Sequence, residues 1–279
     1  MARRLLDRNR QREARRQGMI LDRLASQFRG RVAAEIEAAM QAMADHWEQT
    51  LAIDYPRGFE ARMTALYLQM ADAATRAFAS RILDQGKSVG LITERKFIDF
   101  GQLMTRLAVS FIGMEAVRRR IVAVLETTRR HIYGAVQKGY EEGKAPREIA
   151  KDIRAAAPSI ARIRADTIAR TETHAAANFG SNEASKATGL PLRREWLAAH
   201  DKRTRTTAPL IGNPDEFGHR QADGQIVGPD QPFLIPKRGG GTEPLMYPGD
   251  PKGSPGNVIS CRCTLGYIVD DGLDDEEPV

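Results

Sequence analysis

Cys261 and Cys263, separated only by Arg262, are the sole cysteines of this chain, and His219 precedes them in the same Gly- and Pro-rich stretch. Three kinds of chemistry fit this set. As metal ligands, two thiolates and an imidazole supply three soft or borderline donors. Asp201, Asp223, His200 or water would be the fourth, and zinc the fitting ion. As an enzyme, a cysteine with His219 and an aspartate supplies nucleophile, base and orienting group. As structure, the two cysteines share one face of a strand with Arg262 on the other, each buried as a small apolar residue. A disulfide across one intervening residue would be strained. The usual zinc signature is a pair of Cys-X2-Cys units, so simple burial is the default among the three.

A second group is ionic. Arg170 and Glu172 lie two apart on an Ala-rich helical segment and so point about 200° away from each other. They are not a local pair. One of them is expected to reach the strand-rich part, where Asp201, Arg203, Arg205 and Asp223 offer partners for a charge network that locks helix to sheet. Asp223-Gly224, flanked by Gln221 and Ile226-Val227, has the composition of a tight turn, since glycine accepts positive φ. Trp196, beside Leu197 in a strand-like run, is expected to anchor a core. Gly239 to Gly241 follow Lys237-Arg238, but no phosphate-binding loop pattern completes them.

The elements that must position these residues follow from periodicity. Leu21, Leu24, Phe28, Val32, Ile36, Met40, Met43 and Trp47 step by three or four and mark a long helix. Phe59 to Ile82 carry a second stripe after Pro56. Phe100, Leu103, Leu107 and Phe111 mark a third helix, and Val117 through Tyr140 a fourth. Met and aromatic stripes at this spacing are core and receive no chemistry. Gly143 stops a helix and Pro146 suits the start of the next, so a hinge is expected near residue 143. Helices over Arg147 to Ala157 and Ser159 to Thr188 follow, the second ended by Gly189-Leu190-Pro191. Beyond Pro191, Glu195 to Leu197, Gln225 to Val227, Phe233 to Ile235 and Thr264 to Val269 read as strands between turn-rich loops. The fold class expected is α+β: a helical region over 1–143, a smaller helix-plus-short-strand domain over 144–269, and an acidic disordered tail over 270–279.

Composition bounds the function. The chain has 279 residues, 42% of them apolar, which suffices for a real core. A net charge of +6 suits a polyanionic neighbour such as nucleic acid, although charge of this size also serves solubility alone. Nine arginines against Asp7, Glu13 and Asp22 make the first 30 residues a basic helical arm, fitted to phosphates, to an acidic partner or to solvent. Arg118 to Arg120 with Arg129 and Arg130 give the fourth helix a similar surface. No apolar run reaches the length of a membrane span, and no secretion-signal core follows the basic start. Synthesis in a reducing cytoplasm is expected.

An ordered series of fragments then identifies a resemblance. It runs through Ile168-Ala169-Arg170-Thr171-Glu172-Thr173, Ala176 and Asn178, Glu195-Trp196, and Asp201-Lys202-Arg203-Thr204-Arg205. It continues with His219, Asp223-Gly224, Pro232-Phe233, Pro248-Gly249-Asp250-Pro251 and Cys261-Arg262-Cys263. Over roughly residues 145 to 269 the chain resembles the phage Mu F-like head-morphogenesis family, which includes the minor head protein of phage SPP1. Two departures stand out: the Ala208 to Gly218 loop is long, and Ser260 occupies a position where asparagine is usual. The resemblance implies a non-enzymatic minor capsid protein that meets the portal, scaffold or major capsid protein, with DNA contact indifferent to sequence. It implies residence in the virion, at the head interior or portal vertex, after assembly in the host cytoplasm. The alternative is an enzyme or toxin-like domain carried in the particle, because Mu F-like domains resemble ADP-ribosyltransferase-like folds. Such a transferase would present a Glu-X-Glu pair near a late strand. None is there, and Glu276-Glu277 falls in the tail.

Overall fold

The computed structural model describes residues 3–4, 9–54, 56–88, 100–208 and 214–269. The acidic tail, and with it the expectation of disorder, lies outside the described residues. Five long helices arise where the periodicity demands them: α1 (Arg10–Thr50), α2 (Phe59–Ser88), α3 (Phe100–Gly113), α4 (Glu115–Glu141) and α5 (Pro146–Ala187). The stripe residues from Leu21 to Trp47 on α1 are buried except Leu24, and those from Phe59 to Ile82 on α2 are all buried. Apolar surface removed from water, at about 25 cal/mol per Å², is what selects this face. Gly143, at φ +69°, ends α4, and its N–H donates to Tyr140 O at 3.0 Å. Glu148 then caps α5 by accepting the Ala145 N–H at 2.9 Å.

One boundary differs from expectation. Pro158 does not separate two helices; it lies inside the single helix α5. Ile149, Ile153, Ala157, Ala161, Ala165 and Ala169 are buried at steps of four through the proline. Continuing that buried face outweighs the one backbone hydrogen bond that proline forgoes.

The chain packs into two compact units that interleave along the sequence. One comprises Ala25–Met70 and Ile112–Arg170. It is helical, with a core of Val32, Ile36, Met40, Met63, Leu66, Ile121, Ile132 and Ile153. A Cβ on Gly139 would lie 2.4 Å from Ile149, so α4 and α5 approach closely there. Arg164 donates to Thr128 Oγ1 and to Val124 O; burial pushes its guanidinium down to about 10.

The other unit comprises Met1–Leu24, Ala71–Phe111 and Thr171–Val279. Its strands are β1 (Arg3–Arg4), β2 (Leu192–Leu197), β3 (Ile226–Val227), β4 (Phe233–Pro236), β5 (Thr242–Leu245) and β6 (Thr264–Val269), with a short helix α6 (Pro255–Val258) before β6. One sheet has the order β1-β6-β2-β3 and β4 pairs with β5 in another, every pairing antiparallel. The class is α+β, as the sequence texture implied. β1, β5 and α6 were not anticipated. All six residues of β6 are buried, so both faces of this central strand are covered. Tyr267 on β6 bonds Ser181 of α5 at 2.8 Å, and Gln17 of α1 donates to Leu265 O at 3.0 Å.

Within this unit Gly180 of α5 meets Thr75 of α2, where an added Cβ would lie 2.8 Å from the Thr75 Cα. Because that atom is backbone and cannot swing aside, Gly180→Ala is expected to destabilise the protein by about 1–3 kcal/mol in urea unfolding.

Candidate metal centre

The three candidate ligands come together. Antiparallel pairing of Leu197 with Thr264 places the start of β6, and so Cys263, beside the end of β2. Cys261 follows α6, its N–H donating to Val258 O at 3.1 Å. His219 sits in a turn after Phe217, which bridges to Lys237. Its ring packs edge-on against Trp196 with centroids 5.4 Å apart. His219, Cys261 and Cys263 are each no more than 2% exposed, and their ligand atoms all lie within 4.8 Å of one another. The two Sγ atoms stand 3.7 and 3.4 Å from the same imidazole nitrogen, Nδ1.

The other side of the imidazole is equally specified. His219 Nε2 lies 2.6 Å from Asn257 Oδ1, and Asn257 Nδ2 donates to Glu243 Oε2 at 2.8 Å. A carboxylate only accepts, so it turns the asparagine NH2 toward itself and the amide oxygen toward histidine. Nε2 therefore carries the proton and Nδ1 presents its lone pair to the sulfurs. Glu243 also accepts from the Ser254 N–H and hydroxyl, both at 2.8 Å. Burial would raise its carboxyl, but the bonds from Asn257 and Ser254 hold it below the usual value. The hydrogen bond from Cys263 drives the Cys261 thiol well down, against burial. Burial and the neighbouring Cys261 drive Cys263 up.

The remaining sequence candidates build a separate network. Asp201 pairs with Arg262 at 2.6 Å and accepts the Arg203 N–H and the Thr204 hydroxyl, both at 3.0 Å. Arg205 donates to the carbonyls of Asn257 and Ile259, which fastens its loop to α6. Asp223 takes Arg10 at 3.0 Å, His200 at 2.9 Å and the Ala198 N–H at 2.8 Å. Arg10 also reaches Glu195 at 2.6 Å. Asp201, Asp223 and His200, considered above as fourth ligands, are engaged in these contacts instead. Gly224 has φ +81°, and the Gln225 N–H donates to Ala222 O at 3.0 Å across Asp223-Gly224, which closes the expected tight turn. Trp196 is fully buried between His219 and Phe233. Arg170 pairs with Asp166, one turn back on α5, at 3.2 Å, and Glu172 is buried on the same helix. The link from helix to loops comes from Thr171, which accepts the Ser260 N–H at 3.0 Å, and from Asn178, which donates to Pro248 O and Cys263 O at 2.9 and 3.1 Å.

Residues 130–266 match the family described as Phage Mu protein F like protein. That segment belongs to the phage Mu F-like family. The match starts earlier than the motif resemblance, at Arg130 within α4. The chain is also similar to Uncharacterized protein YqbB of Bacillus subtilis (strain 168), 33% identical over 123 residues, which is 43% of this chain and 36% of that protein. It is similar, too, to NAD(+)--arginine ADP-ribosyltransferase EFV of Enterococcus faecalis (strain ATCC 700802 / V583), 27% identical over 192 residues, 67% of this chain and 35% of that protein. The chain thus spans about a third of the length of these curated relatives. No solved structure matches it.

Within the Mu F-like segment the residues that sequence reasoning missed are Arg194, Asn257 and Glu243. Arg194 is 1% exposed and donates to Met246 O, Gly228 O, Gln231 O and Asn182 Oδ1. Strand alternation could have found it, because Leu192, Arg194 and Trp196 share one face. Nothing in type or spacing marked Asn257 or Glu243.

The Ser260 departure also acquires a reason. Ser260 has φ +58°, a left-handed conformation that asparagine tolerates better than serine. Ser260→Asn is expected to raise stability by about 0.5 kcal/mol, read as a higher thermal midpoint. Burial acts to raise the Asp201 carboxyl, but Thr204, Arg262 and the Arg203 N–H overcome it and hold it low. Its contribution is therefore present above the ordinary carboxylate value and is lost as pH falls through the lower folded value. Asp201→Asn should cost roughly 0.5–1 kcal/mol at pH 7, and the difference from the unmutated chain should shrink in acid-unfolding curves below about pH 4.

Proposed function

We propose that this chain is a minor head protein of a tailed phage or prophage, present in few copies at the portal vertex or head interior and assisting head assembly and DNA packaging or delivery. The observation that carries this reading is the match of residues 130–266 to the Mu F-like family, a family of phage head-morphogenesis proteins. The portal is the favoured partner, with scaffold or major capsid protein next. The protein then resides in the virion, after assembly in the host cytoplasm. Among the described residues no helix is long and apolar enough to cross a membrane.

Exposed arginines support a secondary contact with packaged DNA. Arg12, Arg15, Arg16 and Arg23 on α1 are exposed, as are Arg118 and Arg119 on α4. Such contacts release counterions from phosphates without reading bases.

The similarity to an ADP-ribosyltransferase favours a second reading, transfer of ADP-ribose to arginine by a domain carried in the particle. That activity is stated of the relative, of which this chain covers 35%. Glu35 and Glu37 have the Glu-X-Glu spacing, but they lie in the middle of α1, and Glu35 pairs with Arg62 at 2.7 Å. A late strand bearing that pair is the requirement the sequence leaves unmet.

Co-expression with the portal, scaffold and major capsid proteins encoded beside this chain tests the proposal. Low-copy incorporation into purified particles, measured by mass spectrometry and dependent on portal, is expected. Absence from well-formed particles, or transfer of ADP-ribose from NAD to an arginine-bearing protein by the purified chain, would overturn it.

A further inference from the structure

We propose that Cys261, Cys263 and His219 bind one zinc(II) ion as a structural cross-link, with water as the fourth ligand and with Asn257 and Glu243 as positioning residues. The inference is independent of the head-protein reading, since it rests on the side-chain geometry alone.

Two thiolates and a neutral imidazole form a donor set of the softness zinc prefers. Their spacing fits as well. Zinc bonds of about 2.3 Å to sulfur and about 2.05 Å to nitrogen, at a tetrahedral angle, require sulfur and nitrogen to stand about 3.6 Å apart. The observed separations of 3.7 and 3.4 Å bracket that value. Nδ1 has a single lone pair and can accept one S–H, yet two sulfurs converge on it. An ion at the centre uses the lone pairs of all three atoms at once.

The surroundings supply what a bare cluster would lack. A ligating histidine works best when its other nitrogen donates to a fixed acceptor, which sets tautomer and ring angle. Asn257 Oδ1 is that acceptor, and Glu243 fixes Asn257 in turn. Asn257 is fully buried. Trp196 packs against the ring in a T-shaped contact, which further restrains the imidazole.

The ion would join segments that regular structure leaves loose: the turn at His219, the end of α6 at Cys261 and the start of β6 at Cys263. Among the described residues no strand pairing links the first of these to the other two. All three ligands are buried, which suits an ion that holds segments together.

The test is metal analysis of the untagged full chain, purified from zinc-supplemented cells and dialysed. One zinc per chain is expected by elemental mass spectrometry, with a thiolate-to-metal charge-transfer band after exchange into cobalt(II). A chelator strong enough to strip the ion should lower the thermal midpoint, and returning zinc should restore it. Cys263→Ser and His219→Ala should each abolish stoichiometric binding. Because those variants risk misfolding, Glu243→Gln provides a milder probe. It should lose zinc to a chromogenic chelator roughly tenfold to a hundredfold faster than the unmutated chain. A wild-type chain holding less than about 0.1 zinc and giving no cobalt band would overturn the proposal. Retention of zinc by both ligand variants would do the same, and wild-type zinc loss from Glu243→Gln would remove the positioning role.

Discussion

Buried loop backbone must find hydrogen-bond partners, and in this protein side chains supply them. Between β2 and β6 little of the chain is in regular structure, yet many of its residues are buried. Each orphaned carbonyl or amide there would cost on the order of 1–3 kcal/mol. Arg194 answers with a guanidinium fork that serves Met246 O, Gly228 O and Gln231 O at once. Arg220 does the same for Asp201 O and Thr204 O, and Asn178 for Pro248 O and Cys263 O. The acceptors run the other way: Asp250 takes the N–H groups of Met246 and Lys252, and Asp223 that of Ala198. Charged and amide side chains here replace the ladder that a larger sheet would provide.

This constraint explains why the family resemblance reads as scattered fragments in fixed order. Thr171 and Asn178 on α5, the Pro248 to Pro251 loop and the Cys-X-Cys unit are distant in sequence but meet through Ser260 N, Pro248 O and Cys263 O. The fragments are the two ends of these stitches. A substitution at one end strands a backbone group at the other, which penalises change more than surface exposure would. The stitched side chains hold loop backbone in place.

Much of this was legible in the sequence where the signal was local. Helical stripes such as Phe59 to Ile82 report burial at every turn, and short apolar runs bounded by turn residues located β2, β3, β4 and β6. The Cys-X-Cys unit and His219 were readable as a set by residue type. What escaped depends on partners far along the chain. β1 is two residues of an arginine-rich start whose pairing strand is β6, near the opposite end. β5 contains Pro244 and follows three glycines, each at positive φ, so its local propensity argues against a strand. The Pro158 break was a sound local inference that packing on both sides of it reversed. Asn257 and Glu243 carry no signal by type, because their importance comes from the atom each one faces.

The same accounting bears on the basic charge. A net charge of +6 suggests a free cationic surface, yet several arginines are spent inside the fold. Arg10 joins Glu195 and Asp223, Arg81 joins Glu13, Arg262 joins Asp201, and Arg194 is buried among carbonyls with its pKa lowered by burial. In the helical unit Arg154 joins Asp45 and Glu48, and Arg29 joins Asp166. A phosphate backbone would have to compete with these carboxylates, which the fold already holds beside the guanidinium groups. Arg15, Arg16 and Arg23 on α1 are exposed cations on the solvent side of the helix that buries Glu13, Ala14 and Gln17. Counterion release scales with the number of phosphates actually met, at a log–log slope of about 0.9 per contact on duplex DNA. The salt dependence of a polyanion contact would therefore follow the number of exposed arginines that meet phosphates, rather than the charge of the whole chain.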